Sequence, residues 1–184
     1  MTIQPREIEN NSPASVLFID AQIQNYSQLI ASIKTSVRFH TLNNRESGIE
    51  QITRTLQTQY KNTSIADLYI VAHGIPGCVF LGSGELSDRT WDRHEERIST
   101  WKAGSLFLYS CNAAAGSAGR SLIHNLQRVL GVPVLSSTTR AGSATLGGSW
   151  TLESVIHNDF VHLNAERSPF LSRPQACVAM SARF

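Results

Sequence analysis

The sequence predicts an α/β protein: a three-layer sandwich whose mostly parallel sheet has about five to six strands, in an order near 2-1-3-4-5, with helices on both faces. Three observations lead there. Short apolar runs alternate with stretches whose apolar residues recur at helical spacing. Several of the runs are continuous, as strands buried on both faces are. Two of them, residues 68–74 (L-Y-I-V-A-H-G) and 106–112 (L-F-L-Y-S-C-N), stop abruptly at chemically versatile residues, His73 and Cys111. In open α/β sheets ligands bind just beyond the carboxyl ends of such strands.

Taken in order, residues 1–14 lack periodicity and carry Pro5, Asn10, Asn11 and Pro13, so they read as a flexible lead-in. The α/β domain then runs over residues 15–156. Residues 15–20 (S-V-L-F-I-D) form the first strand. Tyr26, Leu29, Ile30 and Ile33 recur at helical spacing, and residues 37–42 make a second, weaker strand closed by Asn43 and Asn44. Residues 47–60 are the clearest early helix: Ile49, Ile52, Leu56 and Tyr60 share a face, and Ser47 with Glu50 spells a capping box. The strand to His73 follows, then a tight turn at residues 74–77. Residues 78–81 and 85–86 form a hairpin around Gly82, Ser83 and Gly84.

Residues 89–101 read as a polar helix anchored by Trp91, Ile98 and Trp101. After the strand ending at Cys111, residues 119–130 form a helix that buries Leu122, Ile123, Leu126, Val129 and Leu130 and stops at Gly131. A strand at 132–135, a loop of small and hydroxyl residues at 136–148, and an alternating stretch at 150–156 complete the domain. That last stretch reads as an outer strand or half of a hairpin. Residues 157–184 are a C-terminal extension to which the pattern assigns no structure.

At 184 residues the chain holds one domain with a real core. Formal net charge is +2 with no run of basic residues, so neither nucleic acid nor an anionic membrane is an expected partner. Cys78, Cys111 and Cys177 are widely spaced and form no C-x-x-C pair, which argues against a zinc site. No metal and no cofactor are expected. An odd, low cysteine count fits a reducing compartment. No apolar stretch approaches the roughly 20 residues of a membrane span, and the N-terminus lacks a leader pattern. The expectation is therefore a cytoplasmic protein, with leaderless export as the alternative.

A thiol becomes a strong nucleophile when a base stands beside it. If the two strands are neighbours, His73 supplies that base for Cys111 and later protonates the leaving amine. Gly74 has no side chain, so its N–H and that of Cys111 are candidate oxyanion donors. The small residues 113–116 leave room for a peptide. No acidic third member is compelled, because a backbone carbonyl suffices to orient the imidazole. Asp20, Asn112, Ser137, Thr139 and Arg140 are the candidate substrate-binding residues. Asp20 ends the first strand on the same edge and also reads as a capping carboxylate. Arg140, in the loop after the fifth strand, suits a specificity pocket. Cys78 and Cys177 read as incidental thiols, and Trp150 as a core or lid aromatic. A serine-hydrolase elbow is absent, no arginine follows Cys111 closely enough to hold a phosphate, and Gly82-Ser83-Gly84 does not match a phosphate-binding loop.

These stretches resemble a known group. Residues 15–20, 48–53 (G-I-E-Q-I-T), 68–77 (L-Y-I-V-A-H-G-I-P-G), 106–116 (L-F-L-Y-S-C-N-A-A-A-G), 134–138 (V-L-S-S-T) and 146–153 (L-G-G-S-W-T-L-E) are similar to the caspase–gingipain–separase group of cysteine peptidases, clan CD. More closely they resemble an uncharacterised bacterial domain related to it, domain of unknown function 4347, which often heads very large surface or secreted proteins. The resemblance implies a caspase-like fold, a His73–Cys111 dyad, a peptide or protein substrate, and endopeptidase activity that extends to self-processing. Two departures bear on specificity. The cysteine context is Y-S-C-N-A, not Q-A-C-x-G. Where the related domain usually reads S-T-D, this chain has Thr139 followed by Arg140, which implies an acidic or neutral preference before the scissile bond. The rival expectations are a non-catalytic binding module on the same fold and a different thiol hydrolase or transferase.

Overall fold

The computed structural model describes residues 13–156, 159–162 and 168–170. In chain order the elements are β1 (Ala14–Asp20), α1 (Tyr26–Ala31), β2 (Val37–Leu42), α2 (Gly48–Gln59), β3 (Ile65–Val71), β4 (His73–Ile75), β5 (Cys78–Leu81), β6 (Gly84–Ser87), α3 (Trp91–Ile98), β7 (Ala103–Tyr109), α4 (Gly116–Leu130), β8 (Val134–Ser136), β9 (Glu153–Ile156) and β10 (Asp159–His162). They build an α/β fold on a seven-stranded sheet of order β10-β9-β8-β7-β3-β1-β2. Five of these strands are parallel and run 2-1-3-7-8, which is the expected order once the small hairpin strands are set aside. The stretch after Trp150 joins as β9, antiparallel to both β8 and β10.

Strand alternation divides the core. Val16, Phe18, Leu68, Ile70, Leu106 and Leu108 pack against α2, α3 and α4 through Ile49, Ile52, Trp91, Ile98, Leu122 and Leu126. Leu17, Ile19, Tyr69, Val71, Phe107 and Tyr109 face the other way, onto Leu29 of α1, Ile33, Trp150, Leu152 and Phe170. Trp150 is thus a core aromatic, its ring 5.7 Å from Tyr109 and 5.2 Å from Phe170. Within the expected C-terminal extension, β10 lengthens the sheet and the Lys34 N–H donates to the Pro169 carbonyl at 2.9 Å. Residues 1–12 of the expected lead-in, the rest of the extension and Cys177 lie outside the described residues. No helix among those described is long and apolar enough to cross a membrane.

Several boundaries differ from expectation for local reasons. Ser47 makes no side-chain cap bond. The Gln51 side chain instead secures the loop before the helix: its amide accepts the Asn43 N–H at 2.9 Å and donates to the Asn43 and Glu46 carbonyls at 2.8 and 3.0 Å. Ser47 instead bridges Gly82. Helix α3 is shorter than its pattern, yet Trp101 beyond it stays buried and its indole donates to Thr53 Oγ1 at 2.8 Å. Helix α4 starts earlier, at Gly116, and ends on Gly131 with φ 68 as the glycine signal required. The expected hairpin gains a third strand, β4, to form a small antiparallel sheet β4-β5-β6.

Candidate active site

Strands β3 and β7 are neighbours in parallel register, and their last pair is Val71 with Tyr109. His73 and Cys111 each lie two residues beyond that pair, so the register brings the two chain positions to one edge of the sheet. The Ala72 N–H still bonds the Tyr109 carbonyl at 3.1 Å, and the chain then leaves the sheet as β4. β5 flanks β4 on the β1 side, because the loop after β5 is held by the Asp20 carboxylate. The other edge of β4 therefore faces the Cys111 loop.

The ladder fixes the direction of the Gly74 amide. Ile75 and Cys78 close a two-residue turn, so Gly74 and Val79 form a wide pair and the Gly74 N–H turns away from β5. Gly74 is obligatory here. A Cβ would lie 2.0 Å from Ser110 Oγ, 3.0 Å from the Cys78 carbonyl oxygen and 3.1 Å from that of Cys111.

His73 Nε2 lies 3.1 Å from the Gln22 carbonyl oxygen. A carbonyl only accepts, so Nε2 carries the hydrogen and Nδ1 holds the lone pair of the neutral ring. Gln22 is itself fixed: its N–H donates to Asp20 Oδ1 at 2.9 Å and its side-chain amide donates to the Gly82 carbonyl at 3.1 Å. Asp20 Oδ2 accepts the Gly82 N–H at 2.6 Å, and the carboxylate is buried. Both Asp20 oxygens thus serve backbone amides that hold the His73 support.

The Cys111 loop is clamped from three sides. Asn112, in the left-handed region at φ 56, donates its N–H to the Thr139 carbonyl at 2.8 Å. The Ala114 N–H donates to the Ser137 carbonyl at 3.1 Å, and the Gly77 N–H donates to the Ala113 carbonyl at 3.1 Å. Gly119 of α4 approaches so closely that a Cβ would lie 2.2 Å from the Ala114 carbonyl carbon. Ala113 and Ala114 are buried in these contacts and serve packing, while Ala115 is half-buried and Gly116 exposed.

The sulfur is covered. Cys111 is 2% exposed, the Ala141 N–H donates to Sγ at 3.2 Å, and the thiol lies 3.5 Å from the Ala141 carbonyl oxygen. Ser137 is buried, its hydroxyl donating to the Thr139 carbonyl at 2.9 Å and accepting the Thr139 N–H at 3.2 Å. Thr139 and Arg140 are exposed, and the Arg140 guanidinium bonds the Leu146 carbonyl at 3.2 Å. The structure therefore gathers Asn112, Ser137 and Thr139 at the Cys111 loop, sets Asp20 behind Gln22, and leaves Arg140 at the surface.

Three contributors escaped the sequence reading. Gln22 acts through its main chain and has no side-chain signature. Ala141 meets Cys111 from the far side of β8 across a loop without periodicity. Ser110, fully buried with no hydrogen-bond partner for its hydroxyl, sits beside Cys111 in a context that reads as strand. Among the described residues no three His, Cys, Asp or Glu side chains gather as metal donors.

A comparison with curated proteins found no match. A family model described as Domain of unknown function (DUF4347) matches residues 16–170, and the chain belongs to that family.

Proposed function

We propose that the chain hydrolyses peptide bonds with a Cys111–His73 dyad, at the edge of a sheet that forms the middle layer of a caspase-like sandwich. One observation carries the reading: the two residues stand equally far beyond adjacent parallel strands, with His73 Nε2 tied to the Gln22 carbonyl. That tie directs Nδ1 to the work of a base. In the proposed step Nδ1 takes the thiol proton as Sγ bonds to the substrate carbonyl carbon. The carbonyl oxygen, now an anion, accepts the Gly74 and Cys111 N–H groups. The C–N bond breaks, the amine leaves with the proton from Nδ1, and a thioester remains. Water then hydrolyses the thioester after giving a proton to Nδ1, and the thiol is restored.

The positive charge of Arg140, next in sequence to the Ala141 that meets the Cys111 sulfur, favours an acidic or neutral side chain before the scissile bond. Cleavage of peptides varied at that position tests this, and a clear Lys or Arg preference would sink it. The dyad is tested with a peptidyl electrophile, comparing the natural chain with Cys111→Ala and His73→Ala. The expected result is labelling confined to Cys111 and lost or strongly slowed in both variants. Equal labelling of Cys78, Cys111 and Cys177 would remove the peptidase reading. A non-catalytic binding module is the second reading, and the burial of the Cys111 sulfur under Ala141 favours it.

A further inference from the structure

We propose that residues 139–149 form a built-in cap that holds the site latent, and that this cap lifts as a unit before any substrate reaches Cys111. The inference rests on the dyad reading, and it reconciles a well-organised imidazole with a covered thiol.

The cap meets the sulfur at Ala141. Ala141 supplies both the N–H at 3.2 Å from Sγ and the carbonyl oxygen at 3.5 Å from it. An N–H that points at the sulfur puts the Arg140–Ala141 peptide plane edge-on to the thiol. Attack on a carbonyl carbon needs an approach across the face of the peptide. The segment therefore excludes substrate, and cleavage of the Arg140–Ala141 bond is not expected from the closed state.

The cap is closed upon itself. The Ser149 N–H donates to the Arg140 carbonyl at 2.8 Å and the Gly142 N–H returns to the Ser149 carbonyl at 3.1 Å. The Gly148 N–H reaches the Ser143 carbonyl at 2.9 Å, and the Ser143 and Thr145 hydroxyls bond at 2.8 Å. Arg140 ties the tip through Leu146. Such internal bonds survive when the whole segment moves. Its polar ties to the Cys111 loop include the two Ala141 contacts and the Asn112 N–H on the Thr139 carbonyl. Both legs are anchored outside the cap, one in β8 and one by Trp150 among Tyr109 and Phe170. The tip, residues 144–147, is exposed and carries Leu146, one of three large apolar side chains that stand out in solvent among the described residues.

Gly148 offers a wedge. A Cβ there would lie 2.8 Å from the Gly142 carbonyl carbon and 2.9 Å from its oxygen, so Gly148→Ala pushes one leg off the other. A second variant replaces residues 141–148 by two glycines, joining positions that the Ala141–Ser149 bridge already holds close. Each chain is treated with iodoacetamide, and the labelling rate of each cysteine is read by peptide mass analysis. In the natural chain Cys111 should label at least about 10-fold slower than in the urea-unfolded chain, because access requires local opening. Gly148→Ala should raise the Cys111 rate about 10-fold or more without changing that of Cys78, and the cap-replaced chain should raise it further. A natural chain whose Cys111 labels at the unfolded rate overturns the cap. So does a cap-replaced chain whose Cys111 stays slow, or a parallel rise at Cys78 in both variants. Failure of the dyad reading looks different: the rates rise on cap removal, but adding His73→Ala leaves their pH profile unchanged.

Discussion

Gly74→Ala and Ser110→Ala form a pair whose combined effect is calculable from the contacts. The new Cβ of Gly74→Ala would come within 2.0 Å of Ser110 Oγ and within 3.0 and 3.1 Å of two backbone oxygens. The first contact demands a shift of more than an ångström in a site where Ser110 is fully buried. Overpacking of this kind costs about 1–3 kcal/mol, and the upper end is expected here. Ser110→Ala removes a buried hydroxyl that has no partner, so it should be neutral or stabilising by up to about 1 kcal/mol. In the double variant the worst contact is gone, while the milder contacts, the two backbone oxygens among them, remain. The loss should fall to about 1 kcal/mol, a coupling of roughly 2 kcal/mol between the residues. Urea unfolding midpoints of the four chains give the cycle. Additivity within about 0.5 kcal/mol would refute the contact geometry, and with it the claim that only glycine brings this amide to the Cys111 loop.

Other consequences follow from the same contacts. Asp20→Asn replaces one of two amide-binding oxygens by a donor and should cost about 1.5–3 kcal/mol in urea unfolding, while slowing peptidyl labelling of Cys111 through the loosened Gln22 support. Gly119→Ala should destabilise by at least about 1–3 kcal/mol, because its Cβ meets the backbone of Ala114; an unchanged midpoint would show that α4 does not buttress the loop. Burial, aided by the Glu85 charge, pushes the Cys78 thiol up to about 11, and burial pushes Tyr109 up to about 12. The unfolded chain releases those protons earlier, so stability should fall as pH rises from about 9 toward these values, and Cys78→Val should flatten the first part of the decline. Burial lowers His40, and burial with the Arg97 charge lowers His94. The unfolded chain protonates first, so stability is full above about 6.5 and declines as pH falls below it; His40→Phe should reduce that loss in unfolding curves taken over pH 4–7.

The parallel core was legible because its strands are buried on both faces and leave unbroken apolar runs, as in residues 68–72 and 106–109. Gly131 marked the end of α4 for a purely local reason, its positive φ. Ser47 misled for the opposite reason. Its capping pattern is local, but tertiary pairing with Gly82 takes the serine backbone. The ends of β3 and β7 identified His73 and Cys111, since side-chain chemistry at a strand end is written in the sequence. What surrounds them is not written there. The Gln22 and Ala141 main chains act through peptide groups that every residue possesses, and Ala141 meets Cys111 from thirty positions farther along the chain.

The Asp20 carboxylate also constrains the order in which the molecule assembles. Its bond to Gly82 spans 62 residues, whereas its bond to Gln22 spans two. Contacts that close long stretches of chain form after local ones have limited the search. The Gln22 turn can therefore exist as soon as β1 emerges, but it is locked to the hairpin only once β3, β4 and β5 have docked. Cys111 comes later still, and its cover, Ala141, last of all. A chain still being synthesised thus completes its imidazole support before its thiol exists, and it buries that thiol within the next thirty residues.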